Sequence, residues 1–235
     1  MALILNIETS ASVCSVALSH GGEIAGYRES SGDKQHAGSL AIFIRDILLE
    51  KQLCVQDLDA VAVSSGPGSY TGLRIGVSTA KGLCYGAKIP LIGIPTLPAM
   101  ADGFRQAFSP GGDPFFLVPL MDARRMEVYT SVFDASLEPL LPVSAQVITS
   151  DAFASFLERG KTYFFGEGAS KCSEVIIHPN ACFVPGFVNS ARFMCRLSEI
   201  AFEEVRFEDV AYFEPFYLKD FMATKPKNKI LGGLG

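Results

Sequence analysis

The stretch Ser65-Gly66-Pro67-Gly68-Ser69-Tyr70-Thr71-Gly72-Leu73-Arg74 constrains the fold more than any other, because its glycines follow an apolar run and precede a small-residue run that reaches Gly86. A strand, a tight turn and a helix are the elements that such a pattern makes. A glycine-rich turn at a helix start can offer backbone N–H groups and a positive dipole end to a phosphate. It can also be a plain tight connection, or the lead-in to a helix whose outer face meets another protein. The pattern is no Walker A loop, since five residues separate Gly66 from Gly72 and the next two are Leu73 and Arg74. Gly68 stands directly before Ser69, which also breaks the G-x-S-x-G spacing of a nucleophile elbow.

Upstream of the turn, residues 2–8, 13–18 and 23–27 read as short apolar strands joined by turns, an antiparallel meander. The polar break at 30–33 supplies an N-cap for a helix running to about residue 51. Leu40, Phe43, Ile44, Ile47 and Leu48 form its core stripe, whereas Ile42 and Leu49 fall on the opposite face with Gln35 and Gly38. A helix apolar on two faces is either sandwiched within its own domain or shared with a partner. Residues 59–63 predict a strand and 73–85 a helix, on which Gly72, Gly76 and Ala80 allow close approach of another element. Arg74, Ser78, Lys81 and Tyr85 occupy the other face, which helical geometry alone reads as solvated rather than as a partner surface.

A strand at 89–94 and a helix at 95–108 follow, and the Pro- and Gly-rich residues 109–114 are the best linker signal. The chain of 235 residues therefore divides into a first unit, 1–108, and a smaller second one, 114–235, both α/β in layers. In the second unit the pattern predicts strands at 115–121, 127–133 and 162–165, helices at 151–159 and 189–207, the latter capped by Asn189, and an extended end at 214–218. No internal repeat is visible.

Charge and cysteine usage narrow the function classes. A net charge of −5 opposes nucleic-acid binding by this chain alone, and only Lys225-Pro226-Lys227-Asn228-Lys229 is locally basic. No run approaches the roughly 20 apolar residues of a membrane span, and the start lacks the basic region of a signal peptide. Six cysteines without a C-x-x-C pair predict reduced, buried thiols in a cytoplasmic protein. His20, His36 and His178 are isolated, so no metal pair is expected. Glu8, next to Thr9 and Ser10, ends the first strand, and Asp122 ends the first strand of the second unit. Two strand-end carboxylates facing across a cleft would suit a metal-bound nucleotide, which makes Glu8, Thr9, Ser10 and Asp122 nucleotide-binding candidates. Neither carboxylate is followed by a glycine, so the backbone turn that lets a phosphate approach is missing.

Ile4-Leu5-Asn6-Ile7-Glu8-Thr9-Ser10 with Cys14-Ser15-Val16-Ala17-Leu18, Gln35-His36, Asp59-Ala60-Val61-Ala62 with the turn, Ile92-Gly93, and Asp122-Ala123-Arg124 with Glu127-Val128-Tyr129 resemble the TsaB family of threonylcarbamoyladenosine biosynthesis proteins. Beyond residue 140 only Pro215-Phe216-Tyr217-Leu218 is similar. The resemblance implies a two-lobed α/β fold of the actin-like and sugar-kinase superfamily, built from RNase H-like units. It also implies kinship with the catalytic subunit TsaD, which shares the glycine turn but carries a His-x-x-x-His metal motif. Here the equivalent stretch is Pro95-Thr96-Leu97-Pro98-Ala99-Met100, without a ligand.

By that resemblance the chain is a non-catalytic scaffold with no cofactor of its own. It pairs with TsaD and the ATPase TsaE, which use ATP and metal, so that threonylcarbamoyl reaches adenosine 37 of tRNA; tRNA is met only through the complex. Pairing in the family uses the two helices of the first lobe, which assigns Gln35, His36, Gly38, Ile42, Leu49, Arg74, Ser78, Lys81 and Tyr85 to partner binding. The same surface is expected to self-associate into a homodimer when the partner is absent. The rival is an independent nucleotide-dependent kinase or ATPase of the superfamily. A metalloprotease fails on the missing histidine pair.

Overall fold

A computed structural model of the chain describes residues 1–30, 36–108 and 114–219, with backbone alone at 36 and 37. The first half runs β1 (Leu3–Glu8), β2 (Ser15–His20), β3 (Glu23–Glu29), α1 (His36–Glu50), a 3-10 turn (Val55–Asp57), β4 (Ala60–Gly66), α2 (Tyr70–Ala87), β5 (Leu91–Pro95) and α3 (Thr96–Phe108). The second half runs β6 (Phe115–Asp122), β7 (Glu127–Phe133), β8 (Pro139–Val147), α4 (Ala154–Leu157), β9 (Lys161–Phe165), α5 (Ala169–Ser173), β10 (Ala181–Val184), a 3-10 turn (Ala191–Met194) and α6 (Cys195–Glu203).

The two halves repeat one topology. Each is a five-stranded sheet, ordered β3-β2-β1-β4-β5 and β10-β9-β6-β7-β8. In each, the first three strands form the antiparallel meander, and the fourth and fifth join parallel to the first. These are the two RNase H-like units that the resemblance implies. The duplication is invisible in the sequence because it resides in backbone pairing, which many side-chain sets satisfy.

Burial explains the arrangement of helices. α1 and α2 cover one face of the first sheet, with Leu40, Ile44, Ile47 and Leu48 against Leu5, Ile7, Val61 and Val63. α3 lies between the sheets: Ala99 joins Ile92 and Ile94 of the first, while Leu97, Met100 and Phe104 join Leu117, Met121 and Phe165 of the second. Phe104 stacks on Phe165 at 4.1 Å between ring centres. The second 3-10 turn and α6 return to the first sheet, where Met194 and Ala201 pack on Ala2 and Ile4. Buried Asp102 of α3 accepts bonds from Arg196 Nε and Nη2 of α6 at 3.0 and 2.8 Å, tying together helices from the two halves.

Several boundaries differ from the sequence expectation, each for a local reason. α2 begins at Tyr70 because Ser69 Oγ accepts from Gly72 N–H and caps the helix there. The helix expected over 189–207 is a 3-10 turn followed by α6, and its cap is Ser190, whose Oγ accepts from Arg192 N–H. Asn189 instead donates to Ser10 Oγ. Of residues 151–159 only Ala154–Leu157 is helical, since Phe153 sits at φ +62° just before it. β8 was not expected, because Pro139 and Pro142 interrupt its pattern; at a sheet edge the missing N–H groups cost little. β10 and α5, of four and five residues, are too short to leave a period. Cys14, Cys84, Cys172 and Cys195 are buried as expected, but Cys54 is exposed and Cys182 half-buried. Gln35, most of the polar break at 30–33, the linker at 109–113 and the basic tail lie outside the described residues.

Candidate functional site: the glycine turn and the outer helix faces

The glycine turn closes on the chain itself. A Cβ on Gly72 would overlap Thr9 O and one on Gly76 would overlap Thr9 Oγ1, while one on Gly68 would stand 2.5 Å from Ser10 O. Gly66, at φ +107°, would place a Cβ 2.6 Å from Phe216 O. Ser69 N–H donates to Ser10 O and Phe216 N–H to Ser65 O, both at 2.7 Å. Thr9 Oγ1 donates to Gly72 O at 2.7 Å. These glycines therefore admit the chain's own residues 9, 10 and 216 where a phosphate-binding turn would admit a ligand.

The strand-end residues read as nucleotide-binding candidates are engaged in the same way. Glu8, Thr9 and Ser10 are buried. Glu8 Oε1 accepts from Ser10 N–H at 2.5 Å and Ser64 Oγ at 3.0 Å, and Oε2 has no partner among the described residues. Burial pushes the Glu8 carboxyl above its ordinary value, against the opposing pull of the bonds from Ser10 and Ser64. Asp122 is exposed but occupied: its Oδ1 accepts from Arg124 N–H at 2.9 Å and from Lys171 Nζ. The same ammonium donates to Arg125 O and Glu127 O at 2.8 and 2.6 Å. Among the described residues no group of three metal-ligating side chains assembles.

The two outer helix faces are open. Ile42 is 46% exposed, Leu49 66% and Tyr85 83%, and Gly38, Arg74 and Ser78 are exposed beside them. His36 begins α1. Between α1, the first 3-10 turn and α2 runs an apolar groove of about 450 Å³, lined by Leu48, Leu49, Leu53, Cys54, Thr79 and Leu83 among others. Gly38, Gly82 and Gly86 are helical, and a Cβ on any of them would meet no described residue within 4 Å. An interior glycine such as Gly82 weakens a helix by about 0.5–1 kcal/mol relative to alanine, and packing against the described residues gives it no compensation.

Lys81 differs from its neighbours. Its Nζ donates to Ala211 O and Phe213 O, both at 3.0 Å, so it holds a C-terminal strap against α2. That strap pairs Glu208 N–H with Leu91 O, packs Phe213 on the first core, and ends with Tyr217 4.8 Å from the ring of Tyr70. Arg74 in turn lies over Tyr70, 5.2 Å from its ring centre. The sequence predicts only an extended stretch at 214–218, because backbone bonds and a few irregularly spaced side chains hold the strap and leave no period.

Comparison with known proteins fits this geometry. The model of the family described as "TsaD: tRNA N6-adenosine threonylcarbamoyltransferase" matches residues 29–159, more than half of the chain. A tRNA threonylcarbamoyladenosine biosynthesis protein TsaB from Haemophilus influenzae is 28% identical over 231 residues, covering 94% of this chain and 95% of that one. Its namesake from Bacillus subtilis is 29% identical over 223 residues, or 92% and 93%. The Escherichia coli TsaB is 39% identical over 126 residues, which is 54% of this chain and 52% of that one. Among solved structures, YeaZ from Pseudomonas aeruginosa superposes with a TM-score of 0.79 at 24% identity, covering 93% of this chain and 100% of that one. A second Pseudomonas aeruginosa structure, described as similar to peptidase YeaZ, gives 0.81 at 23% identity over the same shares. These two establish likeness of fold.

Proposed function

This chain belongs to the family of the TsaD model and, within it, to the TsaB proteins of tRNA threonylcarbamoyladenosine biosynthesis, and from that premise we propose that it is a non-catalytic scaffold for a TsaD-type transferase. It docks that partner through the outer faces of α1 and α2, engages the ATPase TsaE in the same assembly, and so supports threonylcarbamoyl transfer to adenosine 37 of tRNA. Gln35, His36, Gly38, Ile42, Leu49, Arg74, Ser78 and Tyr85 are the proposed contacts, with Lys81 acting through the strap it holds. Residues 1–108 form the docking unit and 114–235 its support. Such a protein works in the cytoplasm; among the described residues no helix is long and apolar enough to cross a membrane.

One observation carries the reading: exposed Ile42, Leu49 and Tyr85 share adjoining helices with Gly38, Gly82 and Gly86, where an added Cβ would meet no described residue within 4 Å. Small residues let a partner helix approach closely, and the apolar side chains beside them then leave water. The kinase alternative draws little support from Glu8 Oε1, Ser10 and Asp122 Oδ1, whose bonds lie within the chain. Without the partner, the same faces serve self-association.

The test is co-elution of purified I42E or L49E with the TsaD-type partner. We expect both variants to keep the wild-type circular dichroism and melting temperature and to lose co-elution. They should also fail to support modification in a mixture of TsaD, TsaE, the threonylcarbamoyl-AMP synthase, ATP, bicarbonate, threonine and tRNA. Undiminished co-elution by both variants would remove the docking assignment, and modification that proceeds without this chain would remove the scaffold role.

A further inference from the structure

We propose that the rim where the two halves meet, carrying Arg74, Tyr70, Tyr217, Lys219, Arg124 and Arg125, is a contact surface for RNA, with guanidinium groups on phosphates and a base against the tyrosines. A series of contacts links its members. Arg74 covers the Tyr70 ring, Tyr70 meets Tyr217 at 4.8 Å, and two residues later Lys219 ion-pairs with Glu127. Glu127 N–H is bonded to Arg124 O at 3.2 Å across the β6–β7 turn that presents Arg124 and Arg125.

Three features set this rim apart in a chain whose net charge is −5. First, Arg74, Arg124 and Arg125 are exposed and enter no ion pair among the described residues. Second, the carboxylates at the turn are already neutralised, Asp122 by Lys171 and Glu127 by Lys219, so the arginine charge is not cancelled locally. Glu214 is the carboxylate that remains near Tyr217. Third, Arg124 and Arg125 stand at φ +70° and +51°, a left-handed turn that glycine or asparagine fits with less strain. Arg124 N–H and Arg125 O take part in the turn's bonds through the backbone, and no ion pair among the described residues holds either guanidinium.

Guanidinium groups beside stacked aromatic rings match the chemistry of a nucleic-acid strand, whose phosphates take forked donors and whose bases take π-faces. An acidic peptide would use the charges but not the rings. Arg74 is shared with the docking proposal, whereas Arg124 and Arg125 lie outside that contact set, so an RNA titration of this chain alone with variants at those two positions keeps the two proposals distinguishable.

The experiment is fluorescence anisotropy of the full chain with a labelled RNA hairpin of about 17 nucleotides at roughly 50 mM salt, a condition in which phosphate contacts are strong. We expect a dissociation constant of about 10⁻⁴–10⁻⁶ M that weakens as salt rises. R124E/R125E should weaken binding about tenfold or more and flatten the salt dependence. R124G/R125G removes both charges while suiting the left-handed turn, so its weaker binding would not reflect misfolding. Absence of RNA binding by the wild-type chain, undiminished binding by both double variants, or equally tight binding of poly-glutamate would overturn the proposal; the last result would mark the rim as a site for acidic protein.

Discussion

Thr9 and Gly72 are locked together: Thr9 Oγ1 donates to Gly72 O at 2.7 Å, and a Cβ on Gly72 would overlap Thr9 O. G72A must therefore push the start of α2 away from the end of β1, at a cost of about 2–4 kcal/mol. G82A, in the same helix but facing open space, should stabilise the chain by up to about 1 kcal/mol. Urea unfolding of both variants checks the contrast. Equal effects would show that the turn is not gripped by the first strand.

Glu8 gives the stability a pH slope. Burial raises its carboxyl above the ordinary value of 4.5, so between that value and the folded one the native chain holds the proton more tightly than the unfolded chain. Stability contributed by this group is then present in full below 4.5 and is lost as pH rises through the window. E8Q stays neutral and can keep accepting from Ser10 N–H and Ser64 Oγ. The urea midpoint of the wild-type chain should fall relative to E8Q as pH rises above 4.5, and parallel pH curves would refute the assignment.

Thiol reactivity should sort by burial. Burial pushes Cys14, Cys84 and Cys172 up to about 11 and Cys195 to about 12, with the Glu8 charge adding to the rise at Cys14. At neutral pH these stay protonated and shielded. Cys54 is exposed and lines the groove beside Leu49. Reaction of the native chain with a disulfide reagent should show its fast phase at Cys54, and C54S should abolish it. If the docking reading holds, the bound partner slows that phase; an unchanged rate in the complex would place the contact elsewhere.

The legible parts of this fold were those with a period. The core stripe of α1 and the glycine turn could be read because side chains recur at fixed spacing, and Ile42 and Leu49 stood out as apolar residues on the wrong side of that stripe. The duplicated topology, the strap and β8 could not, since they depend on backbone pairing or on an edge position that tolerates Pro139 and Pro142. Lys81 illustrates the limit within the site. Its helical position groups it with Arg74, Ser78 and Tyr85, yet its ammonium reaches carbonyls 130 and 132 residues away, a contact to which no local pattern points.

That contact decides how Lys81 variants behave. K81A removes the donors to Ala211 O and Phe213 O and leaves the strap held by Phe213, the Glu208–Leu91 pairing and Phe216 N–H at Ser65 O. Because the lysine is partly exposed, the loss should be about 1–2 kcal/mol, below the upper range for charge-assisted bonds. The more specific expectation is local: amide exchange over residues 208–217 should speed up, while β1 and β4 keep their protection. K81R retains a cation of similar reach and should restore most of the protection. A docking defect in K81E would then report release of the strap as well as loss of a contact, whereas Tyr85, at 83% exposure, probes the face directly. Unchanged exchange of the strap in K81A would show that Lys81 does not hold it.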